Sequence, residues 1–180
     1  MVTWAAKSFL FCRLLVYGVK HYGLPWQHPY FSNFEGRKIF FKEFYGVLLT
    51  FSPAAADTLL NFFKDTDTKP EDYDYVFTGD LGFVGSELFL ELLARHGVTL
   101  NNHRDCGKLM FDRKKQDVHS GGSGCGCVGS LFCSYILESL KRGDWSKVLV
   151  MGTGALLSTV SAGQGESVPS IAHLVEIEKI

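Results

Sequence analysis

The sequence lacks a long apolar run. No stretch of its 180 residues reaches the roughly 18 uninterrupted apolar residues that a membrane-spanning helix needs. Residues 8–19 come nearest, but Arg13 and Lys20 interrupt the pattern and no small-residue cleavage site follows. The sequence therefore predicts no transmembrane segment, and at residues 8–19 it favours an ordinary buried or surface segment over a signal peptide.

An excess of charge of either sign is also missing. The 18 Lys and Arg residues nearly balance the 19 Asp and Glu residues, which gives a formal net charge of −1. No basic stripe interleaved with aromatic residues follows residue 50. Because nucleic-acid-binding surfaces carry clustered positive charge, the composition argues against nucleic acid as a main partner.

The cysteines lack the pairing that disulfide frameworks and zinc sites show. Their number, five, is odd, and paired C-x-x-C knuckles are absent. They are Cys12, Cys106, Cys125, Cys127 and Cys133. This pattern fits reduced thiols in a cytosol-like compartment. We therefore expect no metal site and no cofactor.

What the sequence does contain is a stretch dense in glycine. Residues 119–127 read His-Ser-Gly-Gly-Ser-Gly-Cys-Gly-Cys and stand directly before a long apolar helix pattern. Such a turn lets a ligand approach the unpaired backbone N–H groups at a helix start, but the same glycines also suit a close helix–sheet crossing. Neither Lys-Ser nor Lys-Thr follows the glycines, which excludes a phosphate loop. The spacing alone leaves ligand binding and tight packing open.

The composition changes near residue 50. Residues 1–49 hold about half of the aromatic residues, in neither a helical nor a strand period. From Ser52 onward, helix and strand signals alternate regularly. We interpret residues 1–50 as an atypical aromatic-rich segment, read in a wrong frame or poorly ordered, and residues 51–180 as a separate domain.

The second part of the chain alternates helices with short apolar strands. Ser52 and Pro53 predict the start of a helix that continues over residues 54–64, and Ser86 predicts the cap of a helix over residues 87–96. A third helix is predicted over residues 128–142, with Gly97 and Gly143 as helix stops. Strands are predicted over residues 73–78, 108–111, 147–151 and 171–177. This order, α-β-α-β-α-β-β, predicts an α/β fold with a mixed sheet packed by helices.

Several short motifs occur in a fixed order along this part. They are PAAAD (53–57), DYVFTGD (74–80), GS (85–86), DCG (105–107), GGSGC (121–125), GALLS (154–158), QGESVP (164–169) and IAH (171–173). With these motifs, residues 51–179 resemble the stage V sporulation protein AD family of the thiolase-like superfamily. The resemblance implies that residues 51–180 form the second, C-terminal half of a thiolase-like fold. It also implies that the first half, which carries the nucleophilic cysteine of condensing enzymes, is missing here.

The resemblance allows the catalytic positions to be compared by residue type. Where related enzymes carry a histidine or a second cysteine, this chain has Gly79, Gly122 and the stretch from Gly152 to Gly154. Glycine cannot transfer a proton, so we predict no catalytic residue. An acyltransferase or condensing enzyme is the alternative, and an inactive fragment is a second alternative because half of the fold would be absent.

The resemblance further implies a ligand, partners and a location. The ligand would be pyridine-2,6-dicarboxylate (dipicolinic acid), a small aromatic dicarboxylate taken up into the developing spore. Membrane proteins of the same spore operon would be partners, the intact family member would be a homodimer, and the location would be cytoplasmic or peripheral on the forespore or spore inner membrane. We expect the ligand site to include Gly79, Asp80, Cys106, Gly122, Ser123 and Cys125. For Asp80 we favour a role in capping the turn that follows it.

Overall fold

The computed structural model describes residues 15–17, 22–24, 44–155 and 168–179. These residues form six strands and five α-helices. In chain order they are β1 (Leu15–Tyr17), β2 (Tyr22–Leu24), α1 (Phe44–Thr66), β3 (Tyr75–Thr78), α2 (Gly82–Arg95), β4 (His103–Asp105), α3 (Cys106–Leu109), α4 (Cys125–Leu131), α5 (Leu137–Arg142), β5 (Lys147–Ala155) and β6 (Val168–Glu178). A π-helical segment, Phe132–Ile136, joins α4 to α5, and a 3₁₀ turn, Pro70–Asp72, precedes β3.

The strands form one mixed sheet in the order β1-β6-β5-β3-β4, with β2 also paired to β6. Strand β3 lies parallel to β4 and to β5, whereas β6 is antiparallel to β5, β1 and β2. The central strands β3 and β5 are mainly apolar, as expected for strands that are covered on both faces. The predicted α/β class and the mixed sheet packed by helices are therefore confirmed.

Helices cover both faces of the sheet. Neighbouring residues of β3 point to opposite faces, so that Val76 packs against α1 and α2 while Phe77 packs against the helix on the other side. The first core consists mainly of side chains from α1 and α2, including Leu59, Phe62, Phe89 and Leu93. The second core contains Ile136 and Leu140 from the π segment and α5. Burial of these side chains is the main stabilising contribution to the fold.

The first helix begins earlier than predicted. Helix α1 starts at Phe44 and contains Pro53 in its interior, so the predicted start at Ser52 is wrong. The buried Ser52 hydroxyl donates to the Gly85 carbonyl of α2 at 2.9 Å. A serine that appeared to cap its own helix instead holds two helices together.

The second helix also begins earlier than predicted. Helix α2 starts at Gly82, so Ser86 is not its cap but a buried residue inside it. The stop signals are confirmed, because Gly97 and Gly143 both adopt positive φ, 79° and 83°. Glycine adopts this left-handed backbone conformation at little energetic cost, whereas other residues do not, and this is why glycine commonly ends helices.

The strand predicted over residues 108–111 is wrong. The second parallel strand is β4, His103–Asp105, and the residues directly after it form α3. Asp105 causes this change, because its carboxylate accepts the backbone N–H of Lys108 at 3.1 Å and so caps the short helix. A short apolar run does not by itself distinguish strand from helix.

Some predictions fall on residues that lie outside the described ones. These are residues 156–167 of the predicted loop between the last two strands, Cys12, and the side chain of Cys125. Of residues 1–50, the description covers β1, β2 and the first turns of α1, and the interpretation of this segment as atypical stays a prediction. In the described part of the chain, none of the helices combines the length and the apolar character that a bilayer crossing requires.

Candidate functional site

The candidate site lies where the parallel strands end. Gly79 and Asp80 follow β3, Cys106 follows β4, and Thr153 lies in the second half of β5. In open α/β sheets, ligands bind in the crevice beyond the carboxyl ends of the strands. The topology thus brings the residues predicted from separate motifs to one edge of the sheet, which we call the carboxyl edge.

Asp80 joins β5 to the glycine-rich stretch. Its Oδ1 accepts the Thr153 hydroxyl at 2.7 Å. Its Oδ2 accepts the Ser123 hydroxyl and the Gly124 N–H, each at 3.0 Å. The favoured role of Asp80 as a cap of the following turn is wrong, since no side chain of its own segment caps α2. Instead, the half-buried carboxylate fixes the position of Ser123.

Asp105 caps α2 and is the central hydrogen-bond acceptor beneath the site. Its carboxylate accepts the Thr78 hydroxyl at 2.7 Å and the backbone N–H groups of Leu81 and Gly82 at 2.9 and 3.0 Å. With the Lys108 N–H it has four donors. Burial raises the pKa of this carboxyl, against the opposing effect of those hydrogen bonds. One buried carboxylate therefore positions β3, α2, β4 and α3.

His103 extends this network on the same strand. Its Nε2 lies 2.9 Å from the Thr78 hydroxyl oxygen. Because that hydroxyl donates to Asp105, Nε2 of His103 carries the proton and donates to Thr78. Burial, and secondarily the charge of Lys108, lowers the pKa of His103 to about 4. The imidazole is thus neutral and is held as a structural donor.

The buried thiols are protonated at neutral pH. Burial, followed by the charge of Asp105, raises the pKa of Cys106 to about 12. Burial and the charge of Asp80 raise the pKa of Cys127 to about 11, and this thiol points to the Gly79 carbonyl with an S···O distance of 3.6 Å. A cysteine nucleophile requires a lowered pKa, which these two thiols do not have.

The first glycines of the stretch pack against neighbouring backbone. The Gly122 N–H donates to the Gly107 carbonyl at 2.7 Å, and a Cβ at Gly107 would overlap the Gly122 carbonyl oxygen. A Cβ at Gly82, where φ is 66°, would overlap the Ser120 carbonyl oxygen. By contrast, a Cβ at Gly124 would meet nothing within 4 Å. The stretch therefore combines tight packing at its beginning with open space at its end.

Two cations border this glycine contact. Phe83 follows Gly82, and its N–H donates to the Ser120 carbonyl at 2.8 Å. The Arg113 guanidinium carbon lies 4.4 Å from the centroid of the Phe83 ring, and the Lys108 Nζ lies 5.5 Å from it. Positive charge and an aromatic face thus occur together beside the carboxyl edge.

The structure brings the predicted site residues to one place, with one exception. Gly79, Asp80, Ser123 and Cys106 all lie at the carboxyl edge, and Gly122 bonds to the residue that follows Cys106. Cys125 begins α4 there, but its side chain lies outside the described residues. Whether these residues bind a ligand stays a prediction. Within the described ranges, no three His, Cys, Asp or Glu side chains are placed to hold a metal ion.

Sequence reasoning missed four residues of this edge. Thr78, His103 and Asp105 form the buried network, and Thr153 is the partner of Asp80. Signals existed for two of them, because Thr78 lies in the DYVFTGD motif and Asp105 opens the DCG motif. The contacts among the four residues could not be found from the sequence, since they depend on which strands are neighbours.

Comparison with known proteins identifies one family. The family model for stage V sporulation protein AD matches residues 46–178. A curated relative, the stage V sporulation protein AD of Bacillus subtilis (strain 168), is 42% identical over 129 residues. This match covers 71% of the chain but 38% of the relative, so the chain spans well under half of the length of the relative.

Proposed function

We propose, from the premise that this chain belongs to the stage V sporulation protein AD family, that it is a noncatalytic sporulation protein that binds pyridine-2,6-dicarboxylate for uptake into the developing spore. The chemistry of the carboxyl edge supports this proposal most directly. Gly79 and Gly122 stand where an acyl-transferring relative would need proton-transfer groups, and the thiols of Cys106 and Cys127 are buried with raised pKa values. Such a site suits binding without bond formation.

The charges beside the carboxyl edge suit a small aromatic dicarboxylate. Lys108 and Arg113 flank the Phe83 ring and are able to neutralise two carboxylate groups. The Asp80 carboxylate accepts three hydrogen bonds from protein donors, which stabilise it without a cation of its own. We infer that the ligand lies between the Phe83 side and the open end of the glycine stretch.

The acyltransferase alternative has weaker support. It needs a thiolate and a base beside it. Cys106 and Cys127 have raised pKa values, and the neighbouring His103 donates its Nε2 proton to Thr78. No observation in the described part of the chain favours this activity over ligand binding.

The proposal extends to partners and location by family membership. We propose that the complete family member is a homodimer that acts beside membrane proteins of the same spore operon. We further propose that the protein is cytoplasmic or binds peripherally to the surface of the forespore or spore inner membrane. Because the chain spans 38% of the relative, these properties are proposed for the longer protein first and for this chain by extension.

Calorimetric titration of the full chain with pyridine-2,6-dicarboxylate tests the binding proposal. We expect saturable heat, and binding at least about tenfold weaker for pyridine-2-carboxylate, because it lacks one of the two charge-assisted contacts. Arg113→Gln and Lys108→Gln should each weaken binding about tenfold. Lys64→Gln, an exposed cation on α1, is the matched control and should change nothing.

Two outcomes would contradict the proposal. A chain that melts cooperatively but gives no saturable heat would be an inactive fragment. Turnover of an acyl-coenzyme A substrate that disappears when the cysteines are replaced by alanine would favour the acyltransferase instead.

A further inference from the structure

Residues 108–117, which we call the basic loop, combine exposed apolar and basic side chains. Leu109 and Phe111 are 39% and 36% exposed, and they are the large apolar side chains that are exposed in the described part of the chain. Every residue from 111 to 117 is exposed. The loop therefore presents two apolar groups to solvent beside the carboxyl edge.

The basic loop has a positive net charge, although the whole chain is close to neutral. It contains the four cations Lys108, Arg113, Lys114 and Lys115 and the two carboxylates Asp112 and Asp117, whereas the whole chain has a formal net charge of −1. Asp112 lies 3.4 Å from the ammonium of Lys115, and Asp117 lies 3.6 Å from the ring of His119. Four cations against two carboxylates give the basic loop a formal net charge of +2 within a chain that is close to neutral.

The backbone of the basic loop is ordered by its own hydrogen bonds. The Asp112 carbonyl accepts the N–H groups of Lys115 and Gln116 at 3.0 and 2.9 Å. The Asp112 side chain accepts the Lys114 N–H at 3.0 Å, and the Gln116 side chain accepts the Asp112 N–H at 2.8 Å. Because these hydrogen bonds already order the turn, binding through its cations does not require a further loss of backbone entropy.

We infer that the basic loop is the surface by which this protein docks on an anionic phospholipid bilayer. Leu109 and Phe111 enter the interface between headgroups and acyl chains, and Lys114 and Lys115 bind lipid phosphates above them. Lys108 and Arg113 add to the positive potential. An acidic protein surface would match the cations but would not require two exposed apolar side chains beside them. The inference rests on the peripheral-membrane part of the proposed function and names the surface involved.

Sedimentation of the purified full chain with vesicles tests this inference without any dicarboxylate. We expect binding to vesicles of equal parts phosphatidylglycerol and phosphatidylcholine at low salt, weaker binding at high salt, and no binding to pure phosphatidylcholine. The double variant Lys114→Glu, Lys115→Glu should lower the vesicle affinity by at least about tenfold, since each surface cation contributes roughly fivefold. Leu109→Ser should lower it several-fold by removing the apolar contact.

The matched control is the double variant Lys64→Glu, Lys69→Glu. These two exposed lysines lie near the opposite end of β3, so this variant changes the net charge equally but leaves the basic loop intact. Equal loss of vesicle binding in both double variants, equal binding to neutral vesicles, or no binding at all would overturn the inference, the last result favouring an acidic protein partner. Calorimetry with the dicarboxylate on the same preparation tests the proposed ligand separately, so failure of one proposal is distinguishable from failure of the other.

Discussion

At the scale of single residues, the most consequential feature is the chain of hydrogen bonds from His103 through Thr78 to Asp105. An ionised carboxylate inside a protein is tolerated only when donors satisfy its oxygens. Asp105 has such donors from four residues, and the His103 imidazole contributes indirectly by donating to Thr78. Neutral His103 is therefore part of the support of the carboxyl edge.

The lowered pKa of His103 makes the folded state sensitive to acid. The folded pKa is about 4, while the ordinary value is 6.5, so between these values the unfolded chain binds a proton that the folded chain does not. We expect the free energy of unfolding to fall as the pH drops from about 6.5 to about 4, by at most about 3 kcal/mol. Urea denaturation at several pH values measures this slope.

His103→Gln isolates the contribution of this residue. Glutamine keeps a donor for Thr78 but does not titrate, so the slope between pH 6.5 and 4 should become shallower. The matched control His96→Gln, at an exposed position after α2, should leave the slope unchanged. An unchanged slope in His103→Gln would show that the imidazole titrates freely in the folded protein.

At the scale of elements, the contact between α3 and the glycine stretch determines the shape of the carboxyl edge. Gly107 is the tightest point, because any Cβ there would overlap the Gly122 carbonyl oxygen. We expect Gly107→Ala to lower the free energy of unfolding by about 2–4 kcal/mol, through a shift of rigid backbone. Circular dichroism during urea denaturation gives this quantity.

Gly126→Ala is the matched control for that change. Gly126 lies in the first turn of α4, and a Cβ there would meet nothing within 4 Å. The same added methyl group should therefore stabilise the protein by about 0.5–1 kcal/mol, because alanine favours the helix. Equal effects of the two substitutions would mean that Gly107 does not approach Gly122 so closely.

Part of the secondary structure and of the candidate site was predictable from the sequence. Apolar periodicity correctly predicted three of the helical regions and the strands β3, β5 and β6, and glycine correctly predicted two helix ends, whereas β4 and α3 were missed. The errors at Ser52 and Ser86 involve tertiary contacts. Ser52 bonds to Gly85 across the contact of α1 with α2, and Asp105 from β4 caps the start of α2. Family motifs located Gly79 and Asp80, whereas the contact of Asp80 with Thr153 follows only from the pairing of β3 with β5.

At the scale of the whole molecule, burial divides the described thiols into two classes. Cys106 and Cys127 lie in the core between the sheet and the helix of α4 and α5, while Cys133 is exposed. A reagent can therefore reach Cys106 and Cys127 only after that core opens. The reactivity of the thiols thus reports on unfolding of the whole domain.

Alkylation with iodoacetamide, followed by peptide mass spectrometry, measures this difference. Cys133 should react in the native protein, because its side chain is exposed. Cys106 and Cys127 should react at neither pH 7 nor pH 9 until urea unfolds the chain, because their pKa values of about 12 and 11 keep them protonated and burial blocks access. Native labelling of Cys127 as fast as that of Cys133 would contradict the buried site and revive the acyltransferase alternative.

The π-helical segment determines how the two ends of this helix are oriented relative to each other. A π turn holds about one residue more than an α turn, so Phe132–Ile136 has the geometry of one extra residue in a regular helix. Deleting that residue would rotate everything on one side of it by about 100° relative to the other. Cys127 would then no longer meet Gly79 while Leu140 filled the core. The extra residue thus allows Cys127 to contact Gly79 and Leu140 to fill the same core from one continuous helical segment.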